Sequence, residues 1–155
     1  MKLNKLTLAA ILLWLATIAV FAWFFVRGST TAGSDNRTAI LLAHEERALI
    51  LSEMRNLLSG VHDILDALNH NDTKQAASAA RAIGTASAAD VNPALMAKLP
   101  LPFKQLGMSV HREMDDLAKA AESGKPAAEL QAMLTVTLTK CVACHSAWQL
   151  KSGAD

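Results

Sequence analysis

Apolar residues fall along this chain in two patterns, and the change between them divides it. From Leu6 to Val26 no residue is charged; as a helix the run would be about 31 Å long, the thickness of a bilayer's hydrocarbon core. Trp, Phe and Leu stand on every side of it, unlike the one apolar stripe of a packed surface helix. A polar stretch, Ser29 to Asn36, follows, and the pattern then becomes periodic. Leu51, Met54, Leu58, Val61, Leu65 and Leu68 alternate spacings of three and four, a seam for antiparallel packing. Glu53, Arg55, Asn56, Asp63 and Asp66 fill the other faces of that helix, which is expected to run from near Asn36 to Asn69-His70-Asn71.

Asp72 with Gln75 three residues on has the form of a capping box. It opens an Ala-rich second helix whose small face admits a backbone or a flat group. Asn92-Pro93 reads as an N-cap with Pro at the first helical position, starting a short turn before Pro100-Leu101-Pro102. A third long helix is expected from Pro102 to Glu122, with Phe103, Leu106, Val110, Met114, Leu117 and Ala121 inward. Ser123-Gly124-Lys125-Pro126 stops it, and a fourth presents Leu130, Leu134, Leu138 and Cys141. No segment alternates convincingly as a strand. The expected fold is all-α: an antiparallel four-helix bundle at 38–155, preceded by one N-terminal transmembrane helix at 1–27 and a linker at 28–37.

Charge orients the apolar run. Lys2, Lys5 and the N-terminal amine precede it and Arg27 follows, so the positive-inside bias keeps the N-terminus in the cytoplasm and sends the remainder across. Trp23, Phe24 and Phe25 suit the far interface. The run is longer than a usual signal-peptide core and Thr30-Thr31-Ala32 is a poor cleavage site. An uncleaved anchor is therefore expected, with cleavage to a soluble exported domain as the alternative. Of 15 Lys and Arg, three lie at or before Arg27, leaving 12 against 14 Asp and Glu, a formal −2. That balance holds no basic stripe and excludes nucleic-acid binding.

Both cysteines fall in one string, Cys141-Val142-Ala143-Cys144-His145. Cys-x-x-Cys-His is the attachment signature of c-type haem: two thiols add to the porphyrin's vinyl groups and the imidazole reaches the iron. Helical spacing puts all three side chains against one flat ring. A thioredoxin-like dithiol would need the pair after a strand and at a helix start, and a structural zinc site would need a second ligand pair. A plain disulfide or idle thiols complete the alternatives. Outside the apolar run only Phe103 and Trp148 are aromatic and Tyr is absent, which leaves room for a large flat cofactor. No Met or His follows His145, so any second iron ligand comes from upstream. Met108 and Met114 read as packing, His44 as near the inward seam if the heptad continues upstream, and His62, His70 and His111 as solvated or interfacial. No nucleophile–base pair or carboxylate cluster stands out, so an enzyme is not expected.

A four-helix domain with this string on its last helix resembles the class II c-type cytochromes, the cytochrome c-prime family and its low-spin relatives. Beyond the string, the resemblance rests on Glu46-Arg47, Glu53-Met54-Arg55 and Trp148, the aromatic three residues after the motif histidine. Gln149 stands where members often carry Arg or Lys, and the apolar anchor departs from the many soluble members. The resemblance implies one covalent haem c on Cys141 and Cys144, with His145 as proximal iron ligand and Met54, about where low-spin members present their methionine, as distal ligand. It implies electron transfer with redox proteins of the cytoplasmic membrane or periplasm, the haem domain on the periplasmic side of a bacterial membrane. High-spin members instead bind small gases such as nitric oxide or carbon monoxide, the alternative function. A homodimer through the first two helices is compatible with the chain.

Overall fold

The computed structural model describes residues 4–88 and 92–153; Lys2 and the N-terminal amine, used above to orient the apolar run, lie outside them. The described chain is mostly helical: α1 (Lys5–Arg27), α2 (His44–Asn69), α3 (Thr73–Ala82), α4 (Pro93–Lys98), α5 (Leu101–Glu122) and α6 (Ala127–Ala147). α1 is long and apolar enough to cross a membrane or serve as a signal sequence, and none of it is buried. The expected helix starts hold where caps defined them. Asp72 accepts from the Gln75 backbone N–H at 2.8 Å, and Asn92 from that of Ala94 at 2.8 Å.

Two expectations are corrected. Three strands exist, β1 (Thr30–Ala32), β2 (Thr38–Leu42) and β3 (Trp148–Ser152), and α2 begins at His44 rather than near Asn36. Residues 28–37, read as a linker, carry β1 and the turn into β2. β2 is central, antiparallel to β1 and parallel to β3, with Thr38 opposite Trp148 and Ile40 opposite Leu150. Gly33 to Asn36 is thus a hairpin turn, with Asn36 in the left-handed region at φ 66°. β2 gave no alternating signal because Ala39, Ile40 and Leu42 are all buried. A strand covered on both faces reads as a continuous apolar run, and a parallel partner far along the chain leaves no local trace.

Glu46 and Arg47 make tertiary contacts. Glu46 accepts from the Ala43 backbone N–H (2.8 Å), capping α2, and takes Lys98 Nζ of α4 at 2.7 Å. Arg47 Nε donates to the Leu150 carbonyl of β3 at 3.2 Å. The Lys98 ammonium, then the Ala43 N–H, hold the Glu46 carboxyl below its ordinary range. Thr85, donating from hydroxyl (2.6 Å) and N–H (3.1 Å), does the same for Asp115. A carboxylate with a depressed folded pKa adds stability above its unfolded pKa and loses it as pH falls through the folded one. Urea midpoints measured across the acid range are accordingly expected to fall below the usual carboxylate pKa, and less steeply in Glu46→Gln.

Two apolar clusters hold the helices. The larger joins Ile64 and Leu68 of α2, Ala76, Ala77 and Ala80 of α3, Met114 and Leu117 of α5, and Leu130 and Leu134 of α6. The small α3 residues allow the close approach their composition promised; Gly60 contributes too, since a Cβ there would lie 2.7 Å from Ile83 Cγ2. The smaller cluster gathers Ile40 and Leu42 of β2 with Ile50, Leu95 and Leu99, under Phe103, Trp148 and Leu150. The expected α2 seam is corrected: Leu58 is 70% and Leu65 38% exposed, while Ile50, Gly60, Ile64, Ala67 and Leu68 are buried. Packing uses a stripe one residue round the helix, and the expected seam residues Leu51, Met54, Leu58 and Val61 border open space.

The end of α1 is docked on the helical domain. The Ser29 N–H donates to the Lys98 carbonyl at 2.7 Å. Lys104, buried at 8% exposure, donates to the carbonyls of Phe25 (3.3 Å) and Met96 (3.2 Å). Its ammonium lies 3.8 Å from the Phe25 ring centroid, and burial lowers its pKa. Gly28 makes the turn at φ 65°, ψ −165°, where a Cβ would press on the Lys98 carbonyl oxygen and lie 2.6 Å from Pro100 N. Gly28→Ala combines a disallowed backbone with a backbone clash and is expected to cost about 2 kcal/mol or more. The check is thermal unfolding in detergent, where an unchanged midpoint would show the docking to be slack.

Candidate functional site

The cysteine string occupies the last turns of α6. Leu130, Leu134 and Thr137 in the first half of that helix are buried. Further on, Leu138, Cys141 and Cys144 are only half-buried, because a cavity of about 390 Å³ separates them from α2 and α5. Cys141, Cys144 and His145 form one wall, Leu51, Met54, Leu58 and Val61 the opposite one, and Leu106, Gly107, Val110 and Met114 the floor. The four sequence-predicted site residues therefore meet at one space. Such a volume falls within the range of small-molecule and cofactor sites, about 300–1,000 Å³.

The helix end is fixed by tertiary contacts that sequence reading missed. Arg37, in the β1–β2 connection, donates from Nη1 to the His145 carbonyl (3.2 Å) and to that of Trp148 (3.5 Å). Asp35 holds the guanidinium in place, accepting from Nη2 at 2.6 Å and Nε at 2.9 Å, and Gln149 Nε2 donates to the same carboxylate at 2.9 Å. Trp148 packs edge-on against Phe103, centroids 5.7 Å apart. Before the string, Lys140 pairs with Glu113 and donates to Ser109 Oγ at 3.0 Å, tying α6 to α5. Arg37 and Arg47, with Gln149, line a second opening on the same wall, shared with Met54, Cys144 and His145. The inner wall is thus apolar and one mouth is cationic.

Both thiols are free. Burial raises the pKa of each, with added repulsion from Glu113 at Cys141 and from Cys141 at Cys144. Their place at a helix C-terminus works the same way, since the dipole there disfavours an anion. A redox dithiol needs the opposite environment, a helix N-terminus or neighbouring cations that favour the thiolate.

His111, expected at a solvated or interfacial place, is buried at 5% exposure. Its Nδ1 is 3.0 Å from the Ile83 carbonyl, and the ring lines the cavity floor. Its spacing of four from Gly107 and three from Met114 on α5 carried that signal. His44, His62 and His70 are exposed. Among the described residues no group of three or more His, Cys, Asp or Glu is arranged to hold a metal ion. Compared with family models, curated proteins and solved structures, the chain matches none of them.

Proposed function

We propose that this chain is a membrane-anchored c-type cytochrome of class II, an electron carrier with one covalent haem c and no enzymatic turnover of its own. The observation that carries the reading is the single apolar cavity faced at once by Cys141, Cys144, His145 and Met54. The residues fit the group. Two thiols three residues apart sit on the cavity side of α6, protonated and so able to add as S–H across vinyl groups. The wall is apolar where a porphyrin face would lie, and Arg47 stands at the mouth with only its Nε engaged, where a carboxylate would find a charge-assisted donor.

Bound haem supplies a one-electron couple between ferrous and ferric iron. The chain's own residues set that couple. His145 would hold the iron through its imidazole, and its backbone carbonyl is pinned by Arg37. Met54, on the lining of the same cavity, would add a neutral thioether that favours ferrous iron and raises the potential. The apolar wall excludes water, which acts in the same direction. We read α2, α3, α5 and α6 as the four members of a bundle, to whose cavities α2, α6 and the hairpin bring Cys, His, Arg and Met side chains.

α1 would hold this domain at a bacterial cytoplasmic membrane, with the domain on the periplasmic face, where c-type cytochromes as a class receive their haem. The partners are redox proteins of that membrane or the periplasm. Denaturing electrophoresis with a haem stain, followed by optical spectra of both oxidation states, tests the reading. The expected result is a band that keeps its stain and a low-spin ferric spectrum. A colourless, stain-negative protein from a host competent in haem attachment sinks it; a stained but high-spin protein that binds carbon monoxide shifts it to a gas-binding member.

A further inference from the structure

A second apolar cavity lies beside the first, and the proposed function leaves it unused. It measures about 260 Å³ and is lined by Leu49, Ile50, Leu95, Met96, Leu99, Phe103 and Met108, with His111 and Lys104 among them. Met54, Gly107 and His111 belong to both cavities, so only those residues separate them. Its other side is the docking site of α1: Lys104 grips the Phe25 carbonyl, and Lys98, next to Leu99, takes the Ser29 N–H. If α1 spans a bilayer, this cavity is at the level where the span ends.

One polar group serves this apolar space without a partner of its own. The His111 Nδ1–H is committed to the Ile83 carbonyl, leaving Nε2 as an acceptor in that neutral tautomer. Nε2 faces Glu53 Oε1 at 3.8 Å, too far for a hydrogen bond and an acceptor in any case. A donor hydroxyl placed in the space would satisfy Nε2. The space therefore asks for a small flat apolar ring that carries a hydroxyl. Its volume, just under the usual range for ligand pockets of about 300–1,000 Å³, holds one ring and not a fused system. Its position asks for a molecule that arrives through lipid.

We propose that this cavity binds the ring of a membrane-soluble hydroquinone, with a ring hydroxyl donating to His111 Nε2 and the tail running out past Leu49 and α1 into the bilayer. The inference rests on the reading of α1 as a membrane anchor, and it gives the anchor a second role, that of bringing the domain to a ligand carried in the lipid. Leu49, 55% exposed, stands at the rim and can be enlarged without disturbing the core.

The test uses the full chain in phospholipid vesicles with a hydroquinone bearing a diazirine on a short alkyl tail, held reduced with ascorbate. After illumination the labelled peptides are mapped by mass spectrometry. The expected label falls on the segments around Leu49–Glu53 and Met96–Met108, and unlabelled hydroquinone competes it away while an alkane of the same length does not. Leu49→Trp is expected to weaken labelling about tenfold by filling the rim. His111→Phe, which removes the Nε2 acceptor while keeping a ring, weakens it about as much. Val136→Trp, on the exposed outer face of α6, leaves it unchanged. Labelling that the alkane competes equally well, which would mark a lipid-chain groove, overturns the proposal, as does labelling indifferent to Leu49→Trp. A chain without covalent haem that still labels at the cavity overturns the carrier reading alone and supports this one.

Discussion

On the proposed reading, Cys144→Ser is expected to lower the covalently retained haem, and Cys141→Ser with Cys144→Ser to abolish it. Each thiol lines the cavity, and each would form one of the two thioether bonds, so a single replacement leaves one bond and the double variant none. The larger consequence is structural. An apolar cavity of about 390 Å³ is a heavy burden when empty, since even part of the roughly 24 cal/mol per Å³ measured for core cavities amounts to several kcal/mol. A domain of this size has only about 5–15 kcal/mol of net stability. The double variant is therefore expected to keep far-UV helicity, because the part of the α2, α3, α5 and α6 cluster around Ile64, Leu117 and Leu134 lies outside the cavity lining. Near-UV ellipticity from Trp148 and Phe103, beside the cavity mouth, should collapse. Circular dichroism on the double variant decides this. Full near-UV signal without haem would mean that the cavity closes on its own and needs no group to fill it.

Met54→Ala has the second largest expected effect. Met54 is half-buried and borders three cavities, two of which also touch the string. On the proposed reading, its removal would take away a ligand that favours ferrous iron and leave that position open in an apolar wall. The ferric spectrum should change from low to high spin, lose its sulfur-to-iron charge-transfer band, and gain affinity for carbon monoxide. The potential should fall by on the order of 0.1 V, within the ~0.8 V span that axial ligands command. Low-spin haem that survives the substitution unchanged would give the distal place to another side chain, with His111 the first to try.

Much of this was legible because the signals were local. The caps at Asp72 and Asn92, the prolines at 93, 102 and 126, and the stripe of α5 all depend on neighbours within one or two turns, and the helices lie where those signals put them. The string at Cys141 was legible because helical spacing alone sets three side chains together. The sheet was not, since its parallel half pairs residues about a hundred positions apart and its central strand is covered on both faces. The α2 seam misled for a different reason. Leu51, Met54, Leu58 and Val61 are as apolar as a packing stripe must be, but they border a cavity, and hydrophobicity does not distinguish contact with a neighbouring helix from contact with a ligand. Arg37 carried no readable signal, because a lone arginine acquires meaning only from the carbonyls that the fold brings to it.

The pairing of β2 with β3 also sets an order of events. Residues 38–42 leave the anchor early, while their partners, residues 148–152, come after the cysteine string. Closing a loop of that length is slow and must precede any reward from the contact. Arg37 and Arg47, which reach the same late carbonyls, lock only when the sheet does. The helices can therefore assemble first, with α6 still free at its end and both thiols open to whatever modifies them. Closure of the sheet then works as a latch: it shuts after the string has been made available and holds the result in place.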